Sequence, residues 1–412
     1  MTALSLEQVY TKNKTDYQKN RYSMAIKGFE KQFHQKPFRF FSAPGRTEIC
    51  GNHTDHNKGL VLAGGVSLDI IAAVIPTDDG VIQVKSEGYR MNTVDLSNLK
   101  PVRQEEGTSV ALIRGVASGL AENGFKIGGF KAYMISNVLK GSGLSSSAAF
   151  EVLVGTILNG LYNDGKIDPV TIAKVSQYAE NKYFGKPSGL MDQMASSVGG
   201  FISIDFKDID SPVIDTINFD FQSCGHSLCI VDTKGNHANL TPEYASIPAE
   251  MKQIAGYFGA EYLRSVTKSD VIDNYAQLRE KFGDRAVLRA LHFMDDNERV
   301  LAECEALNNN DFNEFLKLVN QSGNSSYMYL QNLFASTSPK EQGLCSALYI
   351  AKEILGERGA SRVHGGGFAG TIQAFVPDDI LNEFKTKIEN VFGKGTCHIL
   401  TIRPVGGTEI RL

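Results

Sequence analysis

The sequence contains no tryptophan, only six cysteines in 412 residues and no excess of positive charge. Its formal net charge of −4 gives no electrostatic reason to expect nucleic acid or an anionic membrane as a partner. No stretch approaches the roughly 18 consecutive apolar residues of a membrane-spanning helix. The polar residues after Met1 do not resemble a secretory signal. These absences predict a cytoplasmic protein.

The cysteines are scattered along the chain, which predicts free thiols in a reducing compartment and no disulfide framework. Cys224 and Cys229 are close in sequence but lack the second pair of ligands that a zinc site needs. We therefore expect neither disulfide bonds nor a zinc site.

The length and the apolar patterns indicate two domains of mixed helix and strand. A chain of 412 residues is too long for one ordinary hydrophobic core. Apolar spacing over residues 5–36 favours helix, whereas short runs such as FRFFSAP and VIQVKS favour strands. An aspartate-rich stretch after residue 207 separates predicted domains at 1–207 and 208–412. Because helices and strands do not alternate strictly, we predict the α+β class and not a doubly wound sheet.

The segment KGSGLSSSAAF, residues 140–150, predicts a phosphate-binding loop. Gly141 and Gly143 allow a tight turn, and the helix that follows presents unpaired N–H groups and a partial positive charge. Ser145 or Ser146 is a natural N-cap, and the serine hydroxyls can bind phosphate or reach a metal ion. The segment has neither a Walker pattern nor a dinucleotide fingerprint. The alternative is a small-residue helix start packed closely on a sheet.

A second glycine-rich segment, HGGGFAGT, occupies residues 364–371. Four glycines within six positions are costly in folding entropy, so close backbone approach or positive φ is expected there. Beside the first loop, this segment suits a second clamp on a phosphate chain. A tight hairpin is the alternative.

The stretch SAPGRTEICGNHTDHNKG, residues 42–59, gathers charged and hydrogen-bonding side chains between strand-like runs. Arg46 is a permanent cation suited to phosphate or to a developing alkoxide. Asn52, His53 and Asp55 offer the closely spaced donors and acceptors that recognition of several hydroxyls requires. A metal site at the histidines and the aspartate, or a solvated polar turn, are the alternatives.

The segment GKPSGLMDQM places Asp192 after Gly189, in the first turn of a predicted helix. The helix dipole stabilises an ionised carboxylate at this position, ready to accept a proton from a substrate hydroxyl. An aspartate that only supports its own helix is the alternative.

Along the chain these four segments follow one another at 42–59, 140–150, 185–194 and 364–371. In this order they resemble the motifs of the galactokinase family within the GHMP small-molecule kinases, and the resemblance spans residues 43–407. It implies a two-domain GHMP-kinase architecture with the active site in the inter-domain cleft. The implied reaction is ATP-dependent phosphorylation of galactose at the anomeric hydroxyl, with ATP and Mg²⁺ as cofactors. We expect a small sugar and ATP as partners, no nucleic acid or membrane, and a monomer or weak dimer.

The resemblance also implies roles for individual residues. Arg46 would polarise the anomeric hydroxyl, and Asp192 would accept its proton. The implied sugar contacts are Asn52, His53, Asp55, Gly189 and Tyr244. The implied ATP-binding residues are Gly141, Ser142, Gly143, Leu144, Ser145, Ser146, Ser147 and Ala148, and the implied Mg²⁺ ligands are Ser146 and Glu180.

Departures from the family pattern leave the sugar open. The family usually has glutamate where this chain has Asn52 and tyrosine where it has His56, and GRTEI, which contains Glu48, is a looser match. Because the family glutamate lies near the C6 hydroxyl, Asn52 could admit a sugar altered at C6, arabinose or galacturonate, or still bind the same hydroxyl. The aromatic residues usual near adenine are missing around residues 108–114, which leaves ATP and GTP open.

A non-catalytic sugar and ATP sensor is the alternative from a different class. Such relatives of the family lose small residues in the serine loop, whereas residues 147–149 are intact here. Arg46 and Asp192 are also both present. The sequence therefore favours an enzyme, a sugar 1-kinase.

Overall fold

The computed structural model describes residues 3–10, 14–138, 143–209, 211–235 and 240–412, in which two β-sheets organise the helices. The strands are β1 (Leu4–Ser5), β2 (Arg39–Cys50), β3 (Leu60–Thr77), β4 (Val81–Ser86), β5 (Met91–Asp95), β6 (Gly129–Ser136), β7 (Phe201–Asp205), β8 (Val213–Ile217), β9 (His226–Asp232), β10 (Ala360–His364), β11 (Thr371–Pro377), β12 (Cys397–Leu400) and β13 (Thr408–Arg411). The helices are α1 (Leu6–Val9), α2 (Thr15–Phe33), α3 (Ser109–Glu122), α4 (Ser146–Tyr162), α5 (Pro169–Ala179), α6 (Met191–Val198), α7 (Thr241–Tyr257), α8 (Lys268–Asp273), α9 (Tyr275–Phe282), α10 (Asp284–Asn308), α11 (Phe312–Ser325), α12 (Gly343–Leu355) and α13 (Leu381–Phe392).

The larger sheet has the strand order β1-β13-β2-β3-β6-β4-β5, with β7 paired to β3 and β8 paired to β7. The β1–β13 and β4–β6 pairs are parallel, whereas β2, β3, β6 and β7 pair antiparallel. The second sheet, β10-β11-β9-β12, is antiparallel. Mixed sheets with helices between them confirm the predicted α+β class.

Strand β3 is apolar on both faces because both faces are covered. Ile70 and Ala72 point into the main core, to which α3 and α4 contribute. Ile71 and Ala73 point to the opposite face, where they pack with Phe29 of α2. Since side chains alternate along a strand, burial of both faces gives a nearly continuous apolar run and not an alternating one.

Asp69, within β3, joins α2 to the sheet through a buried ionic network. Its side chain is fully buried and lies 2.5 Å from Nη1 of Arg21 and 3.0 Å from Nη1 of Arg403. The hydroxyl of Ser42 donates to it at 2.5 Å, and the hydroxyl of Tyr10 also donates to it. One carboxylate thereby ties α2, β2 and the segment before β13 to β3.

The two sheets do not divide the chain at one point in the sequence. Strands β8 and β13 belong to the larger sheet, although both follow residue 207. The division into 1–207 and 208–412 stays a prediction. The six cysteines form no disulfide bond. Among the described residues, no helix has the length and apolar character needed to cross a membrane.

Candidate active site

Arg46 and Asp192 meet where α6 packs on β2. Arg46 is 8% exposed, and its Nε donates to Oδ1 of Asp192 at 2.6 Å. Its Nη1 donates to the carbonyl oxygen of Gly143. The other carboxylate oxygen of Asp192 accepts from the hydroxyl of Ser145 at 2.6 Å. The two residues predicted to be catalytic are therefore in direct contact, beside the serine loop.

The surroundings of Asp192 favour its ionised form. Burial by itself raises the pKa of this carboxyl, but the charge of Arg46 and the hydrogen bonds from Arg46 and Ser145 lower it. The net effect is a pKa below its ordinary value of 3.8. At neutral pH the group is thus a carboxylate that can accept a hydrogen bond or a proton from a bound hydroxyl.

Ser145 holds a backbone conformation that is uncommon for a residue with a side chain. Its φ of 54° lies in the left-handed region, directly before α4. Ser145 occupies the N-cap position, but its hydroxyl makes no cap hydrogen bond and contacts Asp192 instead. Leu144 and Ala148, on either side, are fully buried. The buried neighbours fix the loop, and the unusual φ directs the Ser145 hydroxyl toward Asp192.

The two glycine-rich loops touch each other. Gly143 has a φ of +73°, and a β-carbon at this position would lie 3.1 Å from Nδ1 of His364, where the HGGGFAGT segment starts. A side chain on Gly143 would therefore press against the second loop. The predicted ATP-binding residues Gly141 and Ser142 lie outside the described residues.

Glu180 collects hydroxyl and ammonium groups on a single carboxylate. It begins a π-helical turn, Glu180–Phe184, and is 2% exposed. Ser147 donates to its Oε1 at 3.1 Å, and Ser188 donates to its Oε2 at 2.6 Å. The Nζ atom of Lys186 lies 2.9 Å from Oε1. Ser147, and not the predicted Ser146, therefore donates to Glu180 here.

The donor set around Glu180 suits Mg²⁺ bound together with a nucleotide. Among the described residues, no three His, Cys, Asp or Glu side chains come together as a metal-binding group. Mg²⁺ commonly takes only one or two protein carboxylates and completes its shell with water and substrate phosphates. One carboxylate with serine hydroxyls beside it matches that pattern and not an all-protein cage.

Asn52 is fully buried and engages four protein groups. Its Nδ2 donates to Oε1 of Glu48 and to the carbonyl oxygen of Gly365, both at 2.8 Å. Its Oδ1 accepts from Nδ2 of Asn332 at 2.7 Å and from the hydroxyl of Ser326 at 3.4 Å. Both amide protons and both carbonyl lone pairs are thus occupied. The assignment of Asn52 as a sugar contact stays a prediction.

His53 and Tyr244 converge on the second glycine-rich loop. The Nε2 atom of His53 donates to the carbonyl oxygen of Gly366 at 2.9 Å, and the Tyr244 hydroxyl donates to that of Gly367 at 2.9 Å. Burial lowers the pKa of His53 to about 4, so the ring is neutral near pH 7. With Nε2 carrying the proton, Nδ1 is an acceptor, and it is buried without a partner among the described residues.

Asp55 and Gly189 are adjacent. A β-carbon on Gly189 would lie 3.1 Å from Oδ2 of Asp55, so only glycine leaves this approach free. Oδ1 of Asp55 accepts from the backbone N–H of His56 at 2.9 Å. The sugar-motif turn and the loop before α6 therefore face each other, as residues acting on one ligand must.

Two charged residues beside these groups received no role from the sequence. Glu48 is 7% exposed, and its Oε1 lies 3.4 Å from Nη2 of Arg362. Lys186 is the ammonium group on Glu180. The alternation of side chains along β2 could have identified Glu48, because residues two positions apart, such as Arg46 and Glu48, lie on the same face of a strand. Lys186 gave no comparable signal.

The fold is similar to those of solved small-molecule kinases. A structure of Lactococcus lactis galactokinase complexed with galactose superposes with a TM-score of 0.79 at 21% identity, covering 94% of this chain and 99% of that one. The mevalonate kinase of Methanococcus jannaschii gives a TM-score of 0.62 at 14% identity, covering 88% of this chain and 98% of that one. These likenesses support the architecture implied by the sequence.

Residues 111–200 match the family model of the GHMP kinases N terminal domain, which with the Arg46–Asp192 pair defines a GHMP small-molecule kinase. Residues 27–76 match the galactokinase galactose-binding signature. The chain is 33% identical to the galactokinase of Actinobacillus pleuropneumoniae, over 86% of this chain and 89% of that protein. It is 31% identical to that of Glaesserella parasuis, over 89% and 93%. The chain belongs to the galactokinase family, and it is a sugar kinase that uses ATP.

Proposed function

We infer that the protein transfers the γ-phosphoryl group of ATP to the anomeric hydroxyl of galactose, giving galactose 1-phosphate and ADP. The observation that carries this inference is the contact of Arg46 with Asp192, whose second oxygen accepts from Ser145 at the start of α4. An ionised carboxylate, a fixed cation and the serine loop are thus in contact at one place, where a substrate hydroxyl could meet all three. The relatives named galactokinase match most of the chain, which supports galactose as the sugar.

In the proposed reaction, Asp192 accepts the proton of the anomeric hydroxyl while the anomeric oxygen of the sugar attacks the γ-phosphorus. The bond from the γ-phosphorus to the β,γ-bridging oxygen breaks, and ADP leaves with that electron pair. Arg46 offsets negative charge on the attacking oxygen and on the transferring group. The partial burial of both side chains strengthens these interactions, because little water competes with them.

Mg²⁺ would be held by Glu180 with a serine hydroxyl, Ser147 or Ser146. The 3.1 Å hydrogen bond from Ser147 to Glu180 supports this position. When bound, the ion neutralises phosphate charge. Lys186, which is exposed over 55% of its side chain, can leave the carboxylate when the ion arrives.

The sugar would lie among His53, Asp55, Gly189 and Tyr244, with Asn52 as the remaining predicted contact. The unpartnered Nδ1 of His53 supports this placement, because it can accept from a sugar hydroxyl. The open approach between Gly189 and Asp55 supports it as well. Acceptors of this kind recognise hydroxyl groups arranged around a ring.

The test is release of ADP by purified protein with Mg²⁺ and ATP, across galactose, its C6-modified relatives, arabinose and galacturonate. We expect turnover on galactose. Asp192→Asn should lower kcat by about 100- to 10,000-fold, the range for removing a general base. Asp205→Asn, which alters a carboxylate paired with Arg264, is the matched control and should leave kcat unchanged.

Near-normal turnover by Asp192→Asn would contradict the assignment of the base. Turnover confined to a C6-modified sugar would mean that this sugar, and not galactose, is the substrate. Binding of galactose and ATP without any ADP release would instead indicate a sensor.

A further inference from the structure

Glu48 is a nearly buried carboxylate at the edge of the proposed sugar site. It follows Arg46 by two residues on β2, so both side chains leave the same face of the strand. Burial raises the pKa of Glu48 to a net value above its ordinary 4.5. The charge of Arg362, the hydrogen bond from Asn52 and the charge of Arg46 lower it, and the charge of Asp55 raises it. The residues whose charges reach Glu48 therefore include two that border the site, Arg46 and Asp55.

In the part of the chain that the structure describes, one oxygen of Glu48 is engaged by other residues and the second is not. Oε1 accepts from Nδ2 of Asn52 at 2.8 Å and lies 3.4 Å from Nη2 of Arg362. Within the described residues, Oε2 has no hydrogen-bond donor, and the side chain keeps 9% of its surface exposed. A carboxylate held through one oxygen leaves the other available to a ligand.

Asn52 cannot form a hydrogen bond with a ligand without losing a contact within the protein. Its amide is fully buried, and its donors and acceptors already bind Glu48, Gly365, Asn332 and Ser326. Of these, Gly365 belongs to the second glycine-rich loop, and the carbonyl oxygen of Asn332 accepts from the backbone N–H of Phe368 in the same loop. Asn52 therefore links Glu48 to the second glycine-rich loop.

We propose that Glu48 binds one hydroxyl of the sugar through Oε2, and that Asn52 is a positioning residue that holds this carboxylate. The proposal rests on the proposed galactokinase function and adds a specificity determinant to it. Because an ionised carboxylate only accepts hydrogen bonds, it selects a hydroxyl donor at that position and repels an anionic sugar such as galacturonate. The alternative is a purely structural role, in which Glu48 only joins β2 to β10 through its contact with Arg362.

The test compares wild type with Glu48→Gln, measuring kcat, KM for galactose and KM for ATP. Glutamine keeps the shape of the side chain and an acceptor for Asn52, but it removes the charge. We expect the galactose KM to rise about 10- to 100-fold, as for the loss of a hydrogen bond to a charged group, with the ATP KM unchanged. Thermal unfolding checks that each variant is folded.

A panel of 2-, 3-, 4- and 6-deoxygalactose identifies the hydroxyl. If Glu48 binds one hydroxyl, the ratio of variant to wild-type KM falls toward one for the sugar that lacks that hydroxyl. It stays high for the others. Asn52→Ala should raise KM for the same sugars as Glu48→Gln does. In the double variant, the rise in KM should be smaller than the two single effects combined, because Asn52 acts through Glu48.

Glu303→Gln is the matched control. Glu303 is another fully buried carboxyl whose pKa is affected by Arg362. Burial raises its pKa well above the ordinary value, so glutamine closely resembles its protonated form. We expect both KM values to stay at wild-type levels in this variant.

An unchanged galactose KM in a folded Glu48→Gln variant would overturn the proposal. A variant whose KM rises equally for every deoxy sugar, and whose unfolding temperature falls, would also overturn it. The second result would assign Glu48 to the contact with β10. If Glu48→Gln does not fold, Glu48→Asp replaces it, since it keeps the charge but shortens the reach to the sugar. A wild type that does not phosphorylate galactose would refute the proposed function and not this assignment.

Discussion

Asp192 shows how single contacts set the state of a reactive group. Burial alone would favour its neutral form, yet Arg46 and Ser145 hold its pKa below the ordinary value. The two donors use different oxygens of the carboxylate, 2.6 Å away in each case. Each donor should therefore contribute separately to the pH range in which the base works.

Ser145→Ala should move the acid limb of the kcat/KM profile to higher pH. The Ser145 hydrogen bond lowers the pKa of Asp192, so its loss raises that pKa and the base becomes protonated at a higher pH. A pH–rate series from about 3 to 8 measures this shift. Ser197→Ala serves as the control, because Ser197 lies on the same helix as Asp192 but donates to the carbonyl oxygen of Pro169. An acid limb that stays in place would separate Ser145 from the ionisation of Asp192.

The sequence could predict Arg46 and Asp192 because each stands in a short motif whose chemistry is local. It could not predict the partners of Asn52, since Asn332 and Gly365 lie 280 and 313 residues away. Only the fold reveals that this amide is already occupied and that, among the described residues, no donor reaches Oε2 of Glu48. Prediction from residues therefore ends where long-range hydrogen bonds decide which polar group faces the ligand.

At the scale of elements, two glycine-rich loops from distant parts of the chain meet through Gly143 and His364. The glycine content of each loop predicts close approach, but the sequence does not show that they approach each other. The start of α4 was also only partly predictable. Its N-cap residue is Ser145, one of the two serines that the pattern left open, but contact with Asp192 takes the hydroxyl that would otherwise cap the helix.

Gly143→Ala should impair activity more than stability. The positive φ costs a residue with a side chain roughly 1 kcal/mol, and the added methyl group would also press on His364. Gly88→Ala is the matched control, because Gly88 has a φ of +78° and nothing within 4 Å of the added carbon. In urea unfolding, Gly143→Ala should lose modestly more stability than Gly88→Ala because of the contact with His364. Only Gly143→Ala should lower kcat or raise the ATP KM. Equal kinetics in both variants would contradict a functional contact between the loops.

At the scale of the whole molecule, the larger sheet gathers strands from both halves of the sequence. The α+β class could be predicted from patterning, but β8 and β13 join this sheet through pairing that local patterns do not encode. Asp69 reinforces the same long-range closure, since Arg21 and Arg403 reach it from opposite parts of the chain. The sheet that carries Arg46 and Glu48 thus depends on contacts spanning nearly the full sequence.

Asp69→Asn should destabilise the protein by about 3–5 kcal/mol, because it leaves two buried arginines without their carboxylate. Burial raises the pKa of Asp69, but Arg21, Arg403 and hydrogen bonds lower it to a net value below 3.8. A depressed pKa stabilises the fold above the unfolded-state pKa, and this stabilisation is lost as pH falls through the folded-state value. The difference between wild type and variant in urea unfolding should therefore be full at pH 7 and shrink below about pH 4. Glu314→Gln, which breaks an exposed pair with Lys317, should cost less than about 0.5 kcal/mol. A similarly small loss in Asp69→Asn would mean that the network does not hold α2 on the sheet.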